Sequence, residues 1–289
     1  MKTCNNCHYQ FSSKNWTCPA CGYAPSYLEG YLSFAPELAA MSEGFEAKFF
    51  PQLAKLESKN FWFRSRNHLI IHTIKHYFPK AQSFLEIGCG TGFVLQAIER
   101  KIPYLTLFGS EIFCTGLEFA SKRLHKTTLL QMDACKIPFF QEFDLIGAFD
   151  VLEHIRHDQE ALKQIYQATK PRGGIILTVP QHPWLWSQAD DYAHHFRRYC
   201  AIELHQKVEN AGFQVIAKTS FVSLILPLML ISRWRYRTSK VNYNPLSELE
   251  INPLINTVLE SLLNVERSLL NLGVSLPVGG SLLLVAQKS

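Results

Sequence analysis

The sequence predicts an α/β fold in which a doubly wound, mostly parallel sheet carries helices on both faces. Three observations lead there. Short apolar runs at Phe84–Ile87, Leu105–Ser110, Leu129–Ala134 and Phe143–Phe149 alternate with segments of helical period, as repeated βα units require. The first run enters a turn with glycine at every second position, Gly88, Gly90 and Gly92, and leaves it with Val94, Leu95 and Ile98 on one helical face. Glu111 and Asp133 fall at the ends of the second and third runs, where the strands of an open α/β sheet border a ligand crevice.

At 289 residues the chain can bury one large domain and carry a small satellite. A composition of 47% hydrophobic and 18% charged residues is that of a soluble globular protein, and a net charge of +5 favours anionic ligands without demanding nucleic acid. The opening Met1–Cys7 lacks the apolar core of an export signal. The longest nearly continuous apolar run, Phe221–Ile231, contains Pro227 and is shorter than the roughly 20 residues of a spanning helix. A reducing cytoplasm is the expected compartment.

Taken in order, residues 1–25 hold Cys4, Cys7, Cys18 and Cys21 as two Cys-x-x-Cys knuckles. Four thiolates in that spacing complete the closed tetrahedral shell of a structural zinc site, which would supply much of the folding energy of so short a segment. His8 is a bystander beside a full cysteine set. Residues 26–65 read as a connector rich in Tyr and Phe that runs into Phe61-Trp62-Phe63-Arg64-Ser65-Arg66; aromatics with interleaved arginines can grip nucleotides, but core packing is the favoured role of that cluster. Ile70, Ile74, Tyr77 and Phe78 then predict a helix over 66–78, ended by Pro79.

The turn after Phe84–Ile87 aims free backbone amides of a helix N-terminus at a ligand. Its glycine spacing differs from the Gly-x-Gly-x-x-Gly of dinucleotide sites. Glu86, just before it, would repel a pyrophosphate and welcome a cationic ligand.

These motifs together resemble the class I S-adenosylmethionine-dependent methyltransferases, over about residues 62 to 220 and the last dozen. The resemblance implies a Rossmann-like sheet of seven strands. It also implies cofactor contacts from Glu86, Gly88, Cys89, Gly90 and Gly92, from Glu111 at the ribose, from Asp133 at the adenine amino group, and from Ile112, Ala134 and Asp150. Cys89 itself reads as a small filler without partners of metal spacing. The segment Phe143–His154 is similar to the fourth-strand region of small-molecule members.

Beyond it, Asp158 is expected to cap a helix that Lys170–Gly174 stops, with the fifth strand at Ile175–Val179. Asp190–Tyr199 is dense in titratable groups on the substrate side, and His195–Tyr199 matches a His-x-Arg-Arg-Tyr element of related enzymes. Trp184, Arg197, Arg198 and Tyr199 are the candidate substrate residues. A helix over 201–211 and a strand over 213–217 follow, and 279–289 supplies the last strand of the core that begins at residue 66. Between them, residues 221–278 form an apolar helical insertion, with Leu254, Val258, Leu262, Val265 and Leu269 on one stripe. Two readings stay open for it: a cap over the substrate pocket, or a peripheral membrane contact through 221–240, where apolar residues adjoin Arg233–Arg237.

The expected function is methyl transfer from S-adenosylmethionine to a small-molecule acceptor, hydrophobic or lipid-linked. His154 and His195 are the candidate general bases if the acceptor is a hydroxyl. An RNA methyltransferase that uses the ribbon for binding is the alternative, but nucleic acid fits poorly: Lys and Arg do not concentrate near the ribbon, and the fourth strand ends in Val-Leu-Glu-His. A non-catalytic cofactor-binding or zinc-mediated interaction protein is the third reading. Oligomeric state is not legible.

Overall fold

Nine strands form the central sheet in the computed structural model, which describes residues 1–39, 46–236 and 250–289 and, near the second boundary, side chains as far as 233. In chain order, a small hairpin of β1 (Lys2–Thr3) and β2 (Gln10–Phe11) precedes a second one, β3 (Ser26–Leu28) with β4 (Tyr31–Ser33). Helices α1 (Phe50–Leu56) and α2 (Phe61–Tyr77) lead to the βα units: β5 (Ser83–Ile87), α3 (Phe93–Lys101), β6 (Thr106–Glu111), α4 (Cys114–Arg123), β7 (Thr128–Gln131) and β8 (Phe143–Phe149). Then come α5 (Asp158–Ala168), β9 (Thr169–Pro180), α6 (Gln188–Tyr192), α7 (Ala201–Asn210) and β10 (Phe213–Phe221). The insertion supplies α8 (Leu226–Tyr236) and α9 (Pro253–Asn271), and β11 (Ser281–Lys288) ends the chain.

The spatial order is β10-β11-β9-β8-β5-β6-β7-β4-β3. Strands β5 to β9 pair in parallel, and β11 runs antiparallel between β9 and β10. Seven of the nine strands are thus the expected core, and its order reverses between β5 and β8. That reversal opens the crevice of a doubly wound sheet at the carboxyl ends of these two strands. Both faces of the sheet are covered by apolar clusters, with Phe84, Phe143, Leu85 and Ile146 at or near zero exposure. Burying each such side chain stabilises the fold by about 1.5–3 kcal/mol.

The two extra strands come from the connector, where no regular element was expected. Strand β4 pairs in parallel with β7, and the fully buried Gln131 holds the junction. Its amide accepts from Ser33 Oγ at 2.7 Å and donates to the Ala35 and Ile112 carbonyls at 2.7 and 2.9 Å. The cysteine segment docks beside it. Thr3 N donates to Pro138 O at 3.0 Å, and the Trp16 ring packs edge-on against Phe34 and Phe139.

Several boundaries shift for identifiable reasons. Helix α2 starts at Phe61 because Asn60 caps it, its side chain accepting from Trp62 N at 2.9 Å. Asp158 does not cap α5. Its carboxylate instead accepts from Tyr199 Oη and Lys207 Nζ. Strand β9 begins at Thr169, directly after the helix, and β10 runs to Phe221 through a bulge between Val215 and Ala217.

The insertion packs on α2. Asn256 Oδ1 accepts from Phe61 N at 2.8 Å, Arg64 pairs with Glu260, and buried Glu266 accepts from Val222, Ser223 and Leu224 N. Leu263 and Glu266 face inward, and of the expected apolar stripe Leu262 packs against the core and Leu269 is half-buried. Leu254, Val258 and Val265 are exposed, as are Leu228 and Ile231 on α8. The Trp234–Arg237 part of the basic and aromatic run lies outside the described side chains, and 237–240 of the membrane segment lie outside the described residues.

Candidate active site

The glycine turn lies at the carboxyl end of β5. Gly88, Gly90 and Gly92 all have positive φ (66°, 52° and 75°), a conformation that side chains disfavour. A Cβ at Gly88 would stand 2.6 Å from Val151, so the turn presses against the exit of β8. Cys89 is buried, its thiol pushed well up by burial, and its Sγ points toward Gly109 rather than the crevice. Only its backbone is available to a cofactor.

Glu86 is 2% exposed, and its Oε2 has no hydrogen-bond partner among the described residues. Burial pushes its carboxyl well above the usual range, and nearby Arg66 opposes that. Such an orphaned oxygen beside a glycine cradle fits a ligand that brings donors and positive charge. Glu111, at the end of β6, accepts from Gly90 N at 3.0 Å, Ile112 N at 2.8 Å and Phe113 N at 3.2 Å. It therefore ties the turn to the neighbouring strand. Asp133 accepts from Cys135 N at 2.8 Å, and Met132 N donates to the Glu111 carbonyl, which sets the two acids side by side. Ile112, Asp133 and Ala134 are half-buried along the same crevice.

Asp150, at the end of β8, holds a left-handed conformation (φ 58°). Its carboxylate pairs with Arg66 and accepts from Thr178 Oγ1 at 3.2 Å. Sequence reading left Arg66 in the aromatic and arginine run without a role in the site, where it also lies 4.5 Å over the Trp62 ring. Sequence reading missed Phe50 and Glu57. A Cβ at Gly90 would come within 3.5 Å of the Phe50 ring, and Glu57 accepts from Thr91 Oγ1 at 2.7 Å and pairs with Arg123 at 2.6 Å. No periodicity in the connector announces either.

Glu153 and His154 leave β8 on a short 3-10 turn, and His195 comes from the loop after β9. That loop is closed at its base, where His182 N donates to Tyr199 O and Tyr199 N to Pro180 O, both at 2.9 Å. Within it, Ser187 and Asp190 form a capping box that starts α6, a helix hidden in a polar stretch. Asp190 Oδ1 also takes His195 Nδ1 at 2.9 Å and Arg198 Nε at 2.7 Å. Those bonds outweigh its burial and hold its pKa down at about 2. His154 and His195 meet edge to face, ring centroids 4.7 Å apart. Burial, helped by His195, lowers His154 to about 3, so it is neutral at working pH.

The four expected substrate residues separate. Trp184 is exposed and stacks on His182 at 5.0 Å. Arg198 is buried on Asp190 and the Gln181 carbonyl, and Arg197 pairs with Asp158 at 2.7 Å. Tyr199 is wholly buried, its hydroxyl donating to Asp158 at 2.8 Å. It braces the loop from within the core and cannot reach a substrate in this arrangement.

At the other end of the chain, Cys4, Cys7, Cys18 and Cys21 bring four sulfurs within 4.8 Å of one another, all as free thiols.

The methyltransferase domain family matches residues 62–218, more than half of the chain. A malonyl-(acyl-carrier protein) O-methyltransferase of Haemophilus ducreyi is 33% identical over 118 residues, 38% of this chain and 45% of that protein. A demethylmenaquinone methyltransferase of Thermotoga maritima is 27% identical over 97 residues, 33% of this chain and 42% of that protein. The chain thus spans less than half the length of these curated relatives. Among solved structures, a possible histamine N-methyltransferase of Thermotoga maritima superposes with a TM-score of 0.55 at 15% identity, covering 84% of this chain and 97% of its own. A phosphoethanolamine N-methyltransferase of Haemonchus contortus, solved with S-adenosylhomocysteine, does so with a TM-score of 0.52 at 19% identity, covering 77% and 52%. At those identities the likeness is one of fold. With the family match and the strand order in agreement, the chain belongs to the class I S-adenosylmethionine-dependent methyltransferases.

Proposed function

We propose that the protein transfers a methyl group to a small-molecule acceptor, hydrophobic or lipid-linked. The observation that carries the cofactor half is the glycine turn flanked by orphaned Glu86 and by Glu111. Glu86 and the backbone of Gly88, Cys89, Gly90 and Gly92 would hold the charged methionyl end. Glu111 and Ile112 would hold the ribose, Asp133 and Ala134 the adenine, and Asp150 would border the same pocket through its Arg66 pair. When bound, S-adenosylmethionine supplies a methyl group on a positively charged sulfur. The chain's contribution is to orient the acceptor in line with that methyl and to exclude water, and proximity of this kind can supply about 7–11 kcal/mol.

The acceptor half rests on Glu153, His154 and His195, which share the β8 exit with Asp150. His154, held near 3, is a weak proton acceptor, so burial argues against the general-base role expected for it. Trp184 is the one expected substrate residue whose exposure suits contact with an acceptor. Names among the relatives, malonyl-(acyl-carrier protein) and demethylmenaquinone, support an acceptor on a carrier or with an apolar body.

Zinc fits the cysteine cluster: four sulfurs, no disulfide and a minute core of Phe11 between them. Cys4, Cys7, Cys18 and Cys21 would hold it, and its contribution would be to fold a segment that docks on the catalytic domain. No helix among the described residues is long and apolar enough to cross a membrane. Peripheral contact is supported by the outward Leu228, Ile231, Leu254 and Val258. The deciding experiment incubates the protein with a methyl-labelled donor and fractionated extract. Label in the small-molecule or lipid fraction, or on a carrier protein as a group that thioester cleavage releases, supports this function, and label confined to RNA or to protein side chains sinks it.

A further inference from the structure

We propose that Glu153, His154 and His195 form a mononuclear site for a divalent first-row cation on the acceptor side of the crevice. One donor atom from each residue lies within 4.8 Å of the others. Donors held about 2.0–2.2 Å from a cation stand about 3–4 Å from one another. Small side-chain rotations therefore suffice to close the site.

The independent observation is Glu153. It is 1% exposed, and neither carboxylate oxygen has a hydrogen-bond partner among the described residues. An unpaired buried carboxylate costs several kcal/mol unless a cation or donor meets it. Arg66 and Arg198 pair with Asp150 and Asp190, and neither donates to a Glu153 oxygen. A divalent cation at this point would satisfy Glu153 directly.

The supporting shell is already in place. Asp190 takes His195 Nδ1, which fixes the proton there and leaves Nε2 with the free lone pair. Asp190 is in turn locked by Arg198 and by the Ser187 capping box. Phe196 N donates to Glu153 O at 2.8 Å and so pins the loop that carries His195 to the β8 exit that carries the other two. Two imidazoles and one carboxylate suit manganese, iron, cobalt, nickel or zinc, and three protein donors leave coordination positions open. Those positions suit an acceptor that presents a hydroxyl or carboxylate oxygen. This last clause rests on the methyl-transfer reading, whereas cation binding does not.

The test is a manganese(II) titration of the full-length protein as purified, followed by the loss of the free-ion paramagnetic resonance signal, without any methyl donor. Manganese discriminates against a four-thiolate site, so the cysteine cluster does not interfere. The proposal expects one equivalent bound, with affinity at least 10-fold weaker in Glu153→Gln and in His195→Gln, and 10–100-fold weaker in Asp190→Asn. Thermal unfolding without metal guards against misfolding: Glu153→Gln should melt no lower than the parent, and manganese should raise the parent's Tm but not the variant's. Absence of binding to the parent overturns the proposal. So does binding that survives both Glu153→Gln and His195→Gln, which would put the ion elsewhere. Because no methyl donor is present, the result is independent of where labelled methyl goes.

Discussion

Nδ1 of His195 lies 2.9 Å from Oδ1 of Asp190, and the low pKa of that carboxylate means that the imidazole donates. The same oxygen takes Arg198 Nε, so one buried acid sets a tautomer, anchors an arginine and caps a helix. Asp190→Ala leaves Arg198 buried without its counter-charge and removes the cap. The expected loss is about 3–5 kcal/mol of unfolding free energy, measured in urea. A loss under about 1 kcal/mol, the size of a cap alone, would show that Arg198 finds another partner.

Glu111 accepts from three backbone amides around the turn, and the proposed reading assigns it to the ribose. Charge-assisted hydrogen bonds contribute about 1.5–3 kcal/mol. Glu111→Gln should therefore weaken S-adenosylmethionine binding by about 10–100-fold in isothermal titration calorimetry. Binding within twofold of the parent would place the ribose elsewhere.

Acid should release the Asp158 cluster. Burial opposes ionisation there, but hydrogen bonds from Lys207, Tyr199 and Arg197 prevail and hold the carboxyl below its ordinary value. A depressed folded pKa gives stability that is present above the unfolded value of about 3.9 and is lost as pH falls through the folded one. The stability gap between the parent and Asp158→Asn should be full at pH 6 and shrink below pH 4. A gap that stays constant down to pH 2.5 contradicts the assignment.

Removing metal from the cysteine segment should reach the catalytic domain. Cys4→Ser or a strong chelator is expected to release about one zinc per chain and to speed hydrogen exchange at Phe140, whose N–H donates to Met1 O at 2.9 Å. Unchanged exchange there would mean that the segment docks without metal.

If the outward face of α8 meets lipid, Leu228→Glu with Ile231→Glu should abolish co-sedimentation with anionic liposomes. Both residues are more than half exposed, so folding should be little affected. A parent protein that stays in the supernatant with every lipid mixture removes the membrane reading.

Local pattern was enough to read the parallel sheet, the glycine turn, the Glu86, Glu111 and Asp133 series and the cysteine pairs. All of these are local patterns: strand runs, fixed spacings and residues that backbone geometry carries directly to the strand ends. What it could not give is who meets whom over long separations. Strands β3 and β4 join the sheet through the pairing of β4 with β7, braced by the side chain of Gln131, and no period in residues 26–33 announces that. Tyr199 and Arg198 sit in a motif that looks like a substrate element, yet burial turns both into braces. Leu254, Val258 and Val265 are spaced as regularly as the residues that pack, and contact with α2 and with the Val222, Ser223 and Leu224 amides selects Leu263 and Glu266 as the inward face. His154 and His195 were both visible as candidates. Their meeting, the orphaned Glu153 beside them and the Asp190 bonded to His195 follow from closing one loop against the exit of β8, a contact that no local pattern encodes.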